Sequence, residues 1–251
     1  MAKVIAVANN KGGVAKTTTV LALSQAWSMK GLRVLAVDLD SQGNLTTLMA
    51  PEGMEDYGRT IREALVEKKD LPYLRVADNL YLTPATLSLS NIENEMVTFF
   101  SREQIFKRLL DEVNDDFDII IIDCPPALGL MTFSALFAAD TLVMPVMADS
   151  LSFAGMTMVA ELANRVKEYN PKLVLKGVIV TKFKADKISN HYLDVIKTNS
   201  RTAYIETVVH EATKIKQATA LHANIYEYDP TGRAAQEYME VAEELLSRVL
   251  G

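Results

Sequence analysis

Short apolar runs of strand length alternate with stretches of helical period along the whole chain. Residues 4–8 are apolar and end in a loop over residues 9–15. The spacing then predicts a helix over 16–30, with Val20, Leu21, Leu23, Ala26 and Trp27 on its buried side and Gly31 stopping it. A strand follows over 33–37. Thr60-Ile61-Arg62-Glu63 and Ser101-Arg102-Glu103-Gln104 each have the form of a capping box and predict helix starts. Residues 80–82 form a strand that ends before Pro84. Residues 118–122 are nearly all β-branched and predict a central strand buried on both faces. Strands over 141–147, 173–181 and 203–209 and helices over 152–169, 188–200 and 231–249 complete the pattern. Strand–helix–strand repetition of this kind predicts an α/β fold: a mostly parallel twisted sheet with helices on both faces, and ligands at the carboxyl ends of the strands.

The 251 residues contain no repeat, low-complexity tract or linker, so a single domain over 1–251 is expected. The hydrophobic share of 49 % and charged share of 23 % are those of a soluble globular protein. The longest apolar runs, at 119–122 and 142–147, fall far short of the roughly 20 residues that span a bilayer. Residues 1–3 lead straight into the first apolar run, leaving no room for a signal peptide, and a cytoplasmic location is expected. Cys124 is the only cysteine, which excludes an intrachain disulfide and a CxxC metal site and reads as a small packed hydrophobe.

The candidate chemistry sits in the first loop. A strand, the loop Asn9–Ala15 and a helix opening at Lys16 have the layout of a P-loop NTPase: close backbone approach at glycines, inward N–H groups and the positive end of a helix. Lys16 would neutralise the β/γ-phosphates of a nucleotide, the Thr17 hydroxyl would coordinate Mg²⁺, and Thr18 would reach the α-phosphate. The ordinary pattern G-x-x-x-x-G-K-[ST] asks for glycine at positions 10 and 15, where this chain has Asn10 and Ala15. It carries instead a second lysine, in Lys11-Gly12-Gly13-Val14-Ala15-Lys16-Thr17-Thr18. On that motif the chain resembles the ParA/MinD family of deviant Walker A ATPases. The resemblance implies ATP and Mg²⁺ as cofactors, and a Lys11 that crosses a homodimer to the nucleotide of the other subunit.

Two acidic segments extend the resemblance. Asp38-Leu39-Asp40-Ser41-Gln42-Gly43-Asn44 is similar to the family's D-x-D-P-Q-G-N, with Ser41 in place of proline. It implies that Asp40 activates the attacking water and that Asp38 lies near the Mg²⁺ shell. Four isoleucines at 119–122 followed by Asp123 form a Walker B pattern, delivering one carboxylate towards Mg²⁺. Asp123-Cys124-Pro125-Pro126 again looks like the ParA group. The match is weakest over 182–230: a proline expected near Val208-Val209-His210 is absent, Glu211-Ala212-Thr213-Lys214-Ile215-Lys216 replaces an Arg-rich stretch, and adenine contacts are not assigned.

A ParA-type protein is expected to hydrolyse ATP slowly, bind double-stranded DNA without sequence preference when ATP-dimerised, and respond to a ParB-type partner in plasmid or chromosome partition. It would then be nucleoid-associated in the ATP state. Non-specific DNA binding needs a cationic face. The net charge is −6, yet residues 182–216 carry Lys182, Lys184, Lys187, Lys197, Arg201, Lys214 and Lys216 against four acidic side chains. Lys182, Lys184, Lys187, Lys214 and Lys216 are therefore the expected DNA contacts. The same machinery could position a protein assembly, and the sequence does not separate these cargoes. A MinD-like membrane switch is disfavoured, because the terminal helix bears Glu237, Glu240, Glu243 and Glu244 and would be repelled by anionic lipid. A bridging iron–sulfur or zinc centre would need more cysteines.

Overall fold

The isoleucine run lies at the centre of a seven-stranded sheet of order β3-β4-β2-β5-β1-β6-β7. The computed structural model describes residues 1–251 except 52, 55 and 201. Arg201, counted above in the basic segment, thus lies outside the described residues. Strand β1 is Lys3–Val7, β2 Val34–Asp38, β3 Leu74–Ala77, β4 Leu80–Thr83, β5 Ile119–Asp123, β6 Thr141–Met147 and β7 Val174–Thr181. Only β3, an edge strand, runs antiparallel to its neighbour. Ile119, Ile120, Ile121 and Ile122 are each fully buried, at about 1.5–3 kcal/mol per side chain.

Side chains alternate across the strands and build a core on each face. Helices α1 (Lys16–Met29), α2 (Asn44–Met49), α10 (Ile225–Tyr228) and α11 (Arg233–Leu250) cover Ile5, Val7, Ile119 and Ile121. Helices α3 (Ile61–Glu67), α5 (Ile105–Val113), α6 (Leu130–Ala138), α7 (Ser150–Val166) and α8 (Lys187–Asn199) cover Val4, Ala6, Ile120 and Ile122. The short α4 (Ile92–Glu95) adds to this second face, and α9 (Thr213–Ala220) places Ala218 in the first core. Trp27 is fully buried and donates its Nε1 hydrogen to the Ala242 carbonyl at 3.0 Å, locking α1 to α11.

Helix α11 spends its apolar face here. Ala234, Ala235, Tyr238, Val241, Ala242, Leu245 and Val249 are all buried. No helix among the described residues is long and apolar enough to cross a membrane.

Two expectations are corrected. Thr60 and Glu63 form the capping box at α3, but Ser101 does not form one. It sits in the left-handed region at φ 50°, makes no cap bond, and is followed by a 3₁₀ turn over Arg102–Gln104 before α5 begins. Residues 203–209 are not a strand. They run beside β7 and share with it one isolated bridge, Val178 with Tyr204; a second bridge, Phe183 with His210, lies just beyond both segments. The N–H of Glu206 goes to the Glu244 carboxylate at 3.1 Å and that of His210 to Glu237 at 2.8 Å. The Ile205 N–H still donates to Val178 O at 3.0 Å and the Val209 N–H to Val180 O at 2.8 Å. Four residues thus advance against two of β7 and no continuous ladder forms, while carboxylates of α11 take amides that β7 does not. Beyond the predicted elements, the structure adds β3, α2, α4, α6, α9 and α10, which are short or lack a distinct period.

Candidate functional site

Three central strands end level with one another. In parallel register Val7 lies opposite Asp123, and Asp123 opposite Asp38. The loop after β1, the acidic loop after β2 and the end of β5 are thereby brought to one edge of the sheet.

The phosphate loop is tied down at its start. Asn9 is buried; its Nδ2 donates to the Pro145 carbonyl at 2.8 Å, and its Oδ1 accepts from Lys11 N–H at 2.9 Å. Gly155 of α7 lets this happen, since a Cβ there would fall 2.6 Å from Asn9 Oδ1. Gly13 then turns at φ 78° and Ala15 at φ 65°, both left-handed. A Cβ on Gly12 or Gly13 would meet nothing within 4 Å, so the space over the loop belongs to no protein atom. Among the described residues, the first N–H of α1 that reaches a backbone carbonyl is that of Thr19, which donates to Ala15 at 2.8 Å. The preceding amides form the open positive end of the helix.

Around this end stand the predicted charges. Lys16 is buried beside Asp123, and burial pushes its ammonium pKa down while Asp123 pulls it back up. Asp123 is buried, and neither carboxylate oxygen has a hydrogen-bond partner. Burial, and then the charge of Asp38, push its carboxyl well above the usual range. An orphaned buried carboxylate next to a lysine and the Thr17 hydroxyl fits a divalent cation, which would supply the missing partner.

Asp38, expected near the Mg²⁺ shell, lies level with Asp123 and is held by protein donors. Its Oδ1 accepts from Asp40 N–H at 3.1 Å, and its Oδ2 accepts from the Thr46 N–H and hydroxyl, both at 2.8 Å. Burial pushes its pKa up to about 6, against these donors. Asp38 organises the 40–46 loop. Asp40, by contrast, lines an open cavity of about 500 Å³ together with Gly12, Gly13, Lys16, Thr17 and Thr18.

Lys11 points elsewhere. Its Nζ donates to both Asp149 oxygens at 3.0 Å and to Ser152 Oγ at 3.1 Å, at the start of α7. Burial alone would raise the Asp149 carboxyl; the Ser152 N–H and Lys11 outweigh it and hold it below the usual range. Val14 is fully buried below the loop.

The lysines expected on a DNA face divide. Lys182 donates to the Gly13 carbonyl at 2.7 Å, against the phosphate loop. Lys184 pairs with Glu211 at 2.8 Å, and Lys216 lies 3.9 Å from the same carboxylate. Lys214 lies 5.5 Å over the Tyr228 ring, and Lys187 opens α8.

A second cavity of about 290 Å³ adjoins the loop, lined by Ala15, Thr18, Lys182, His210, Ile215 and Tyr238 among others. Sequence reading did not assign it, because beyond Ala15, Thr18 and Lys182 its walls come from the 209–212 segment, α9 and α11, which carry no motif. It also missed Asn9, Asp149 and Gly155. An Asp149-Ser150-Leu151-Ser152 cap pattern could have placed the start of α7; nothing local marks the other two.

Comparison with known proteins bears on this site. A family model described as an AAA domain matches residues 2–175. The sporulation initiation inhibitor protein Soj of Bacillus subtilis (strain 168) is 35% identical over 250 residues, covering 98% of each chain. The chromosome-partitioning ATPase Soj of Treponema pallidum (strain Nichols) is 30% identical, over 99% of this chain and 98% of its own. Among solved structures, cobyrinic acid a,c-diamide synthase from Mycobacterium smegmatis, with bound ATP analog and magnesium, is 30% identical with a TM-score of 0.84, over 98% of this chain and 95% of its own.

The left-handed Ala15 carries strain that glycine at that position would not, at about 1 kcal/mol. Ala15→Gly is expected to raise the unfolding free energy by up to ~1 kcal/mol, the gain reduced by the greater freedom of the unfolded chain. Urea unfolding monitored through Trp27 measures this, and a destabilised variant would contradict the strain.

Proposed function

The chain belongs to the AAA-domain family, with Soj proteins among its relatives, and on that footing we propose that it is a ParA-type ATPase acting as a nucleotide-timed switch. It binds ATP, closes into a homodimer, holds double-stranded DNA without sequence preference, and is reset by slow hydrolysis that a ParB-type partner accelerates. The cargo is a plasmid or chromosome. The observation that carries the reading is the buried, unpartnered Asp123 carboxylate beside Lys16, at the mouth of an open helix end. Such a site needs a cation and an anion together, and a nucleoside triphosphate with Mg²⁺ brings both.

The roles follow from position. The amides of Gly12, Gly13, Val14 and Ala15 cradle the phosphates, with Lys16, Thr17 and Thr18 completing the site. Thr17 and Asp123 would hold Mg²⁺, whose charge offsets that on the phosphates during transfer. Asp38 serves them at one remove, by fixing the 40–46 loop through Thr46. Asp40, on the wall of the same cavity, orients the attacking water. The adjoining cavity beside Ala15 and Thr18 takes the base.

Lys11 must exchange Asp149 and Ser152 for the partner's nucleotide, so closure depends on a phosphate that competes with a carboxylate already in place. The DNA face is formed by Lys184, Lys187, Lys214 and Lys216, with Glu211 tempering its charge. Dimerisation doubles this face, which makes DNA binding ATP-dependent. The apolar side of α11 is buried against the core, so membrane insertion has no free helix face to use here.

DNA binding measured with ATP, ADP and no nucleotide across a salt series tests the switch. Binding is expected only with ATP, with log K falling linearly in log salt; nucleotide-independent binding would overturn it. Lys11→Ala should retain nucleotide binding and lose ATP-dependent dimers in light scattering. Asp40→Ala should keep the ATP dimer while hydrolysis falls by about 10²-fold or more; wild-type turnover would remove Asp40 from the water's path.

A further inference from the structure

Lys182 was expected on the DNA face, and the structure puts it on the phosphate loop. Strand β7 ends at Thr181, which is fully buried and donates its hydroxyl hydrogen to the Val14 carbonyl at 3.0 Å, with Val146 O a longer alternative at 3.4 Å. The next residue, Lys182, adopts φ 49°, a left-handed conformation that a lysine enters at a cost. That turn carries its ammonium to the carbonyl of Gly13, 2.7 Å away. Two consecutive residues, the last of β7 and the first beyond it, thus grip two consecutive carbonyls of the loop.

The geometry of the peptide unit gives this grip a consequence. The C=O and N–H of a trans peptide point to opposite sides. Holding the Gly13 and Val14 carbonyls towards β7 therefore fixes the direction of the Val14 and Ala15 N–H groups, which point away from it. The buried Val14 side chain seats the loop between these peptides, while Gly13 and Ala15 on either side are both left-handed and a Cβ on Gly13 would touch nothing. Thr181 supplies a buried, neutral anchor. Lys182 supplies a charge-assisted one, stronger than a neutral bond. It also stands between the two cavities, lining both the one that contains Gly12, Lys16 and Asp40 and the one that contains His210 and Tyr238.

We infer that Lys182 is a positioning residue of the nucleotide site: its bond to the Gly13 carbonyl sets the rim of the phosphate loop where phosphates and base meet. The inference rests on the nucleotide-site reading above. It also separates Lys182 from the lysines of the DNA face, although the same short segment carries both.

The test compares Lys182→Met, Lys182→Arg and Lys16→Ala in the full chain. Lys182→Met keeps most of the stem and removes the donor. Its ADP dissociation constant, read with a fluorescent ADP, is expected to rise about tenfold, and KM for ATP to rise with a smaller change in kcat. Hydrogen exchange at Val14 and Ala15 in the ADP-saturated protein should speed up, and Lys182→Arg should restore both readouts. Unchanged ADP affinity and unchanged exchange in Lys182→Met would overturn the inference. So would a loss of ATP-dependent DNA binding with ADP affinity intact, which would return Lys182 to the DNA face. Lys16→Ala is the control for the site itself: if it binds ADP like the wild type, the nucleotide reading fails, whatever Lys182 does.

Discussion

The site depends on a register. β1, β5 and β2 run parallel with Val7, Asp123 and Asp38 level, so one row of the sheet delivers a loop and two carboxylates to the same edge. Aliphatic side chains on both faces hold that row, and a one-residue slip would exchange the two cores as well as move the acids. Chemistry and packing are therefore set by the same constraint. This is why two acidic groups can be held almost without solvent: the cost of burying them is spread over a sheet that cannot shift to expose them.

Each of these buried acids finds a different solution. Asp38 is given protein donors, from Asp40 and Thr46, and through Thr46 the constraint passes to Ala85 at the end of β4, whose N–H donates to the Thr46 hydroxyl at 2.8 Å. Asp123 is given none. A folded chain normally satisfies such groups, and the one left open is the one placed beside Lys16 and the helix end. The contrast separates an acid satisfied by protein donors from one that has none among the described residues, although both stand at strand ends in similar sequence contexts.

The two lysines of the loop show a similar division. Lys16 is buried within its own site, while Lys11 is bound to the first turn of α7 by Asp149 and Ser152. The loop is fastened on several sides at once: by Asn9 below, by α7 through the space that Gly155 leaves, and by Thr181 and Lys182 at the end of β7. A loop with a strained Ala15 and few local bonds keeps its shape because elements distant in the chain hold it.

The amino-acid sequence by itself determined the sheet's central strands, the helix after the loop and the identity of the charged groups. Each of those is written locally: β-branched runs for β5 and β6, an apolar stripe through Trp27, and lysines, threonines and aspartates at set spacings. It was less informative where structure depends on partners far along the chain. The run at 203–209 has the composition of a strand, but between Ile205 and Val209 it advances four residues against two of β7 and so forms no continuous ladder. Ser101 has the spacing of a cap and the wrong backbone angle. Lys182 and Lys184 are two residues apart in one basic segment, and tertiary contacts send one to the Gly13 carbonyl and the other to Glu211. A side chain's type sets what it can bind; which partner it meets is decided by elements that only folding brings together, and hydrogen bonds and charges act over a few ångströms of space whatever their separation in sequence.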